Sequence, residues 1–123
     1  MQLNLERPNY TWYLRGADGD YALVNERVLR KSFVISPATL IEDWPVTDAA
    51  ALEPSQLDPL LVLQPELVLL GTGATQVFPP PAVMAACLTR GLGVEVMTNA
   101  AAARTYSVVA GEGRRVVAGF ILP

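Results

Sequence analysis

Short β-rich segments followed by alternating strands and helices predict an α/β fold. The expected form is a single three-layer domain over residues 1–123, with a mixed central β-sheet, helices packed on it and an N-terminal β layer or hairpin. Three observations carry this. An Asp18-Gly19 pair separates two strand-like runs near the N-terminus. The continuous apolar run Leu67–Leu70 suits a strand covered on both faces and stops at Gly71-Thr72-Gly73. After it, strand and helix alternate at the spacing of a βαβ unit, which implies parallel strands and a right-handed crossover.

Tyr10 to Arg15 alternates aromatic and polar residues, and Tyr21 to Val24 resumes the pattern beyond Gly16-Ala17-Asp18-Gly19-Asp20, so a hairpin is predicted there. Ser32 to Ser36 is a short β-branched and aromatic strand ended by Pro37, and Thr39 to Trp44 is another, stopped by Pro45. From Thr47 to Leu63 the leucines approach helical spacing, but Pro54 and Pro59 cut the segment into short pieces. Glu66 to Leu70 is the next strand. Pro79-Pro80-Pro81 then opens a helix to about Arg90, with Val83, Met84, Cys87 and Leu88 on one face and Gly91 placed as a left-handed cap. Val94 to Met97 reads as a strand. Ala100 to Ala110 reads as a helix with Ala102, Tyr106 and Val109 on one stripe and Gly111 as its stop, and Arg114 to Leu122 closes the chain as a strand.

With 51% hydrophobic and 17% charged residues, the chain has the makings of a core rather than of a disordered segment. No apolar run reaches the roughly 20 residues of a membrane-spanning helix, and Met1 to Tyr10 lacks a signal-peptide pattern. A cytoplasmic bacterial protein without membrane insertion is therefore expected. The lone Cys87 excludes an intrachain disulfide and multi-thiolate metal sites. The absence of histidine removes the usual general base, zinc ligand and nucleophile activator, so the inventory points away from enzymes, and no metal or other cofactor is implied. A net charge of −3, with scattered arginines, argues against nucleic acid. Arg30-Lys31 and Arg114-Arg115 read as solvated strand ends. Cys87 reads as a buried small hydrophobe, and Glu42 and Asp43 point opposite ways on their strand.

In an open α/β sheet, ligands bind beyond the carboxyl ends of parallel strands. Two loops qualify: Gly71-Thr72-Gly73-Ala74-Thr75, and Thr98-Asn99 at the start of a helix. Glycines admit close approach, threonines offer hydroxyls, the helix N-terminus favours an anion, and Arg104, with Thr105 beside it, adds a charged fork one turn further on. The same residues also suit plain structure, the glycines as a tight turn and Thr98 or Asn99 as a helix cap. Gly71, Thr72, Gly73, Thr98, Asn99, Arg104 and Thr105 are thus the candidate ligand- or partner-binding residues, with no catalytic or metal-ligating set among them.

Taken in order, Glu66-Leu67-Val68-Leu69-Leu70-Gly71-Thr72-Gly73, Gly93-Val94-Glu95-Val96-Met97-Thr98-Asn99, Ala102-Ala103-Arg104-Thr105-Tyr106 and Glu112-Gly113-Arg114-Arg115-Val116 resemble a family of small domains of unknown function. Its members include bacterial and archaeal proteins, a mitochondrial assembly factor for respiratory complex I and a vertebrate adipogenesis-associated protein. The resemblance spans nearly the whole chain and departs at Ser107, where the family pattern has asparagine. It implies a three-layer α/β domain with no established catalysis. Two readings follow. One is a non-enzymatic interaction or assembly domain presenting the Gly71–Thr75 and Thr98–Thr105 region, with aromatics such as Trp12 and Tyr13, to a protein partner. The other is a binder of a small anionic ligand or metabolite held between the Gly71–Thr75 loop and the helix N-terminus at Asn99. The residues leave the oligomeric state open.

Overall fold

The computed structural model describes residues 8–123; most of the N-terminal stretch inspected above for a targeting pattern lies outside them. Eight strands and three α-helices follow in the order β1 (Leu14–Ala17), β2 (Ala22–Val24), β3 (Arg27–Leu29), β4 (Phe33–Ile35), β5 (Leu40–Ile41), α1 (Asp58–Leu61), β6 (Leu67–Gly71), α2 (Pro81–Leu88), β7 (Val94–Met97), α3 (Asn99–Gly111) and β8 (Val116–Phe120). The central five-stranded sheet runs β5-β4-β8-β6-β7 and is mixed: β6 lies parallel to both β7 and β8, while β4 is antiparallel to β8 and β5. The N-terminal segment forms a separate antiparallel sheet β1-β2-β3.

Alternation along the central strands divides the interior in two. Leu67 and Leu69, Val116, Ala118 and Phe120, and Phe33 and Ile35 face α3 and the N-terminal sheet. Val34, Val68, Leu70 and Val117 face the segment between β5 and β6 and helix α2. Phe33 and Phe120 are cross-strand partners whose rings stack at 5.0 Å. On the second face a Cβ at Gly119 would lie 2.7 Å from the Trp44 ring, so glycine there makes room for the indole, whose N–H donates to the Gln56 carbonyl at 2.8 Å.

The expected hairpin is a three-stranded meander, and its boundaries move. Gly16 and Ala17 belong to β1 rather than to the turn, and Tyr10 to Tyr13 precede the strand. The third strand is turned back at Asn25, which takes a positive φ of 51° while its side chain accepts from Tyr13 N and donates to Thr11 O. The strand expected over Thr39–Trp44 contracts to Leu40–Ile41, because Trp44 leaves the sheet to fill the second core. The proline-cut segment forms two 3-10 turns, Ala49–Ala51 and Pro54–Leu57, before α1. Helix α2 ends at Leu88, which is exposed rather than on the buried stripe with Val83 and Cys87, and Gly91 takes its left-handed conformation at φ 74°. Gly111 is the last residue of α3 rather than its stop; the left-handed turn falls at Gly113.

Candidate functional site

The loops after β6 and β7 are neighbours, as parallel pairing of those strands requires. Thr98 is the N-cap of α3: its hydroxyl accepts from Ala101 N at 3.2 Å. Asn99 is the first helical residue, and its side chain turns inward to complete burial. Its amide oxygen accepts from Gly73 N at 3.1 Å, and its amide nitrogen donates to Asp18 O at 2.9 Å and to Ile121 O at 3.0 Å. Its backbone N–H donates to Gly73 O at 2.9 Å. One side chain thus ties the loop after β6, the β1–β2 turn and the residue after β8 to the start of α3. Gly71 is shaped to this lock, since a Cβ there would lie 2.4 Å from Asn99 Oδ1.

Thr72 is also committed to the fold. Its N–H donates to Met97 O at 2.9 Å, and its hydroxyl donates to Thr75 O at 2.7 Å and accepts from Val77 N at 3.0 Å. Beyond the loop, the Gln76 side chain donates to Val96 O at 2.8 Å on β7, an edge strand of the central sheet. A cavity of about 170 Å³ remains between Gly73, Thr98 and the Asp18-Gly19 turn. Asp18 lines it, while its carboxylate accepts from Asp20 N at 2.8 Å and Tyr21 N at 3.0 Å within its own turn.

Arg104 does not join this cluster. It is exposed and lines a different concavity, a groove of about 480 Å³ between α3 and β1. Leu14, Arg15 and Ala17 form one wall, and Ala103, Arg104 and Val108 the other. Thr105 is half-buried and turns towards β7, its hydroxyl 3.5 Å from Met97 Sδ. The seven expected site residues therefore separate: Gly71, Thr72, Gly73, Thr98 and Asn99 interlock, while Arg104 faces another opening and Thr105 packs inward. Sequence reasoning did not reach Arg15, Ala103 and Val108. The signal was the i, i+4 spacing of Arg104 and Val108 on the side of α3 opposite its buried stripe.

The groove is pinned at its base. Tyr106 Oη donates to Trp12 O at 2.8 Å, and Ser107 Oγ lies 3.4 Å from Leu14 O, so the hydroxyl at the family's asparagine position reaches β1. Burial pushes the Tyr106 phenol above its ordinary range, and Tyr10 nearby adds to the shift. Trp12, expected as a free aromatic, packs on the core with Arg27 stacked 5.5 Å from its ring centre, and Tyr13 is half-buried. The Cys87 thiol is buried and raised by burial. Among the described residues no group of histidine, cysteine and carboxylate side chains is suited to hold a metal ion.

A family model described as protein of unknown function (DUF498/DUF598) matches residues 14–121. A Xanthomonas campestris protein solved by NMR is 55% identical, over 98% of this chain and 92% of that one, with a TM-score of 0.84. A Bordetella pertussis protein, described as a Mth938-like domain and also solved by NMR, is 29% identical over 98% of this chain and 92% of its own, with a TM-score of 0.79. A curated relative from Francisella tularensis subsp. holarctica, the "13 kDa major membrane protein", is 32% identical over 71 residues, 58% of either length. The chain thus spans somewhat over half the length of that relative. Among the described residues no helix is long and apolar enough to cross a membrane.

Proposed function

The chain belongs to the family of proteins of unknown function DUF498/DUF598, and on that premise we propose that it is a non-enzymatic protein-interaction domain whose binding face is the groove between α3 and β1. The observation that carries the reading is the groove itself. It is a concavity of about 480 Å³ with apolar walls, and the two charged side chains in its lining are both cationic. Its hydroxyl, on Ser107, has no neighbouring base in that lining to activate it. What the groove offers a partner is shape and charge. The likeness to an assembly factor for respiratory complex I, drawn from the sequence motifs, favours a partner that is itself a protein. A cytoplasmic location is part of the proposal, since a lone buried thiol suits a reducing compartment; cell fractionation checks it against the membrane relative's name.

The test is a photo-crosslinking residue placed at Ala100 or Val108, both exposed at the groove, and at Glu112 as a control beyond the end of α3. The expected outcome is a discrete adduct to another protein from the groove positions and none from Glu112. Equal labelling from all three positions, or from none, rejects the groove as the binding face.

A further inference from the structure

Resting on that reading of the groove, we infer that its partner is an acidic segment: a short extended stretch of polypeptide whose carboxylates meet Arg15 and Arg104 while an apolar side chain lies between them. The argument is one of charge complementarity. The chain has 12 acidic residues against 9 basic ones, yet the lining of this groove holds two arginines and no carboxylate. Arg104 makes no ion pair or hydrogen bond among the described residues. Among the described residues Arg15 pairs with Glu26 alone, at 4.0 Å and with both side chains more than half exposed. Two guanidinium groups without strong partners, on either side of Leu14, Ala17 and Ala103, present the planar donor forks that pair with carboxylates in a bidentate fashion.

The other modes of recognition fit less well. Addition of a partner strand to β1 meets α3, which already holds the carbonyls of Trp12 and Leu14 through Tyr106 and Ser107. A nucleic-acid backbone or an anionic membrane would need a broad basic field, and the chain around these two arginines is net acidic. A short peptide needs only the local pair.

The experiment titrates three capped synthetic peptides into isotope-labelled protein and follows its amide resonances: one alternating glutamate and leucine, one with glutamine for glutamate and one with lysine. The acidic peptide is expected to move the amides of residues 14–17 and 100–108 and to bind about tenfold tighter than the glutamine peptide, with the margin shrinking at high salt. Arg15→Ala and Arg104→Ala should each weaken it by up to about fivefold. The double reversal Arg15→Glu with Arg104→Glu should turn the preference towards the lysine peptide.

Equal binding of the acidic and glutamine peptides at the groove overturns the acidic partner and leaves the interaction reading standing. Groove adducts found only between copies of this chain, with no peptide bound, make a second copy the occupant and overturn the inference in the same way. Displacement of the acidic peptide by octanoate at equal affinity assigns the groove to small amphipathic anions and overturns both. Adducts independent of position, as above, reject the underlying reading and the inference with it, whereas the peptide comparison overturns the inference by itself.

Discussion

Two regions that share α3 treat their polar groups in opposite ways. At the helix N-terminus, Asn99 is fully buried, and both ends of its amide are paired with three different loops. One turn further along, Arg104 is exposed and unpaired among the described residues, and it faces an open groove. The first region sits where α/β folds usually bind ligands, but the side chains of Thr72, Thr98 and Asn99 are bonded to nearby backbone groups of the fold itself. Polar residues at the carboxyl ends of parallel strands can therefore be the means of closing a fold. Here the free charge lies on the outer side of the same helix.

The sharpest way to break this comparison is Asn99→Leu. The substitution would strand the buried Ile121 O and the part-buried Gly73 N and Asp18 O, and an unpaired polar group costs about 1–3 kcal/mol where it is buried. A loss of about 3 kcal/mol or more is expected in urea unfolding, a large share of the stability of an ordinary domain. Gly71→Ala should cost about 1–3 kcal/mol alone, because its Cβ would crowd Asn99 Oδ1 at 2.4 Å. It should cost less in an Asn99→Ala background, where that oxygen is gone. Additive costs, or an Asn99→Leu protein within about 1 kcal/mol of the parent, would remove the lock from the account.

Tyr106 joins the two regions, since its ring fills the core beneath α3 while its hydroxyl holds the Trp12 carbonyl, two residues before β1. Tyr106→Phe should cost about 1 kcal/mol at neutral pH. Its pH dependence sharpens the point. Burial raises the folded-state pKa of this phenol, so as pH rises above about 10 the unfolded chain loses the proton before the folded one does. Stability should then fall with pH, by about 1.4 kcal/mol per unit for each group still protonated only in the fold. The buried Cys87 thiol acts in the same direction from a lower ordinary value. Tyr106→Phe should make the alkaline decline shallower; an unchanged slope would mean that the phenol reaches solvent.

The fold was legible where local physics had no competitor. β8 lies within its run and β6 runs one residue past its own to include Gly71, because burial on both faces leaves a continuous signal, while Val94–Met97 is found as read although it is an edge strand with Glu95 exposed. The third strand was missed because Arg27 and Val28 are exposed, so the run carries little apolar pattern and the turn rests on Asn25 alone. The site was less legible. Type and spacing placed Gly71, Thr72, Gly73, Thr98 and Asn99 at the carboxyl ends of β6 and β7, strands that do pair in parallel, but whether their polar atoms face a ligand or the fold itself depends on side-chain direction. Asn99 turns inward to reach Asp18 and Ile121, partners 81 and 22 residues away, which no local pattern encodes. Arg15 and Arg104 meet across a groove only because the N-terminal sheet packs on α3.

The smallest expected effect tests the other half of the comparison. Arg104 is exposed and has no ion pair or hydrogen bond among the described residues, so Arg104→Ala should leave stability within about 0.5 kcal/mol of the parent, a shift of no more than a few degrees in melting temperature. If the arginine is there for a partner, the same substitution should weaken acidic-peptide binding while the far more destabilising Gly71→Ala, so long as the protein stays folded, leaves that binding nearly unchanged. Stability and binding would then separate along one helix, with the N-terminal turn governing the first and the outer face the second. A clear loss of stability in Arg104→Ala would instead make the guanidinium part of the packing of β1 on α3, and the groove would join Asn99 as architecture.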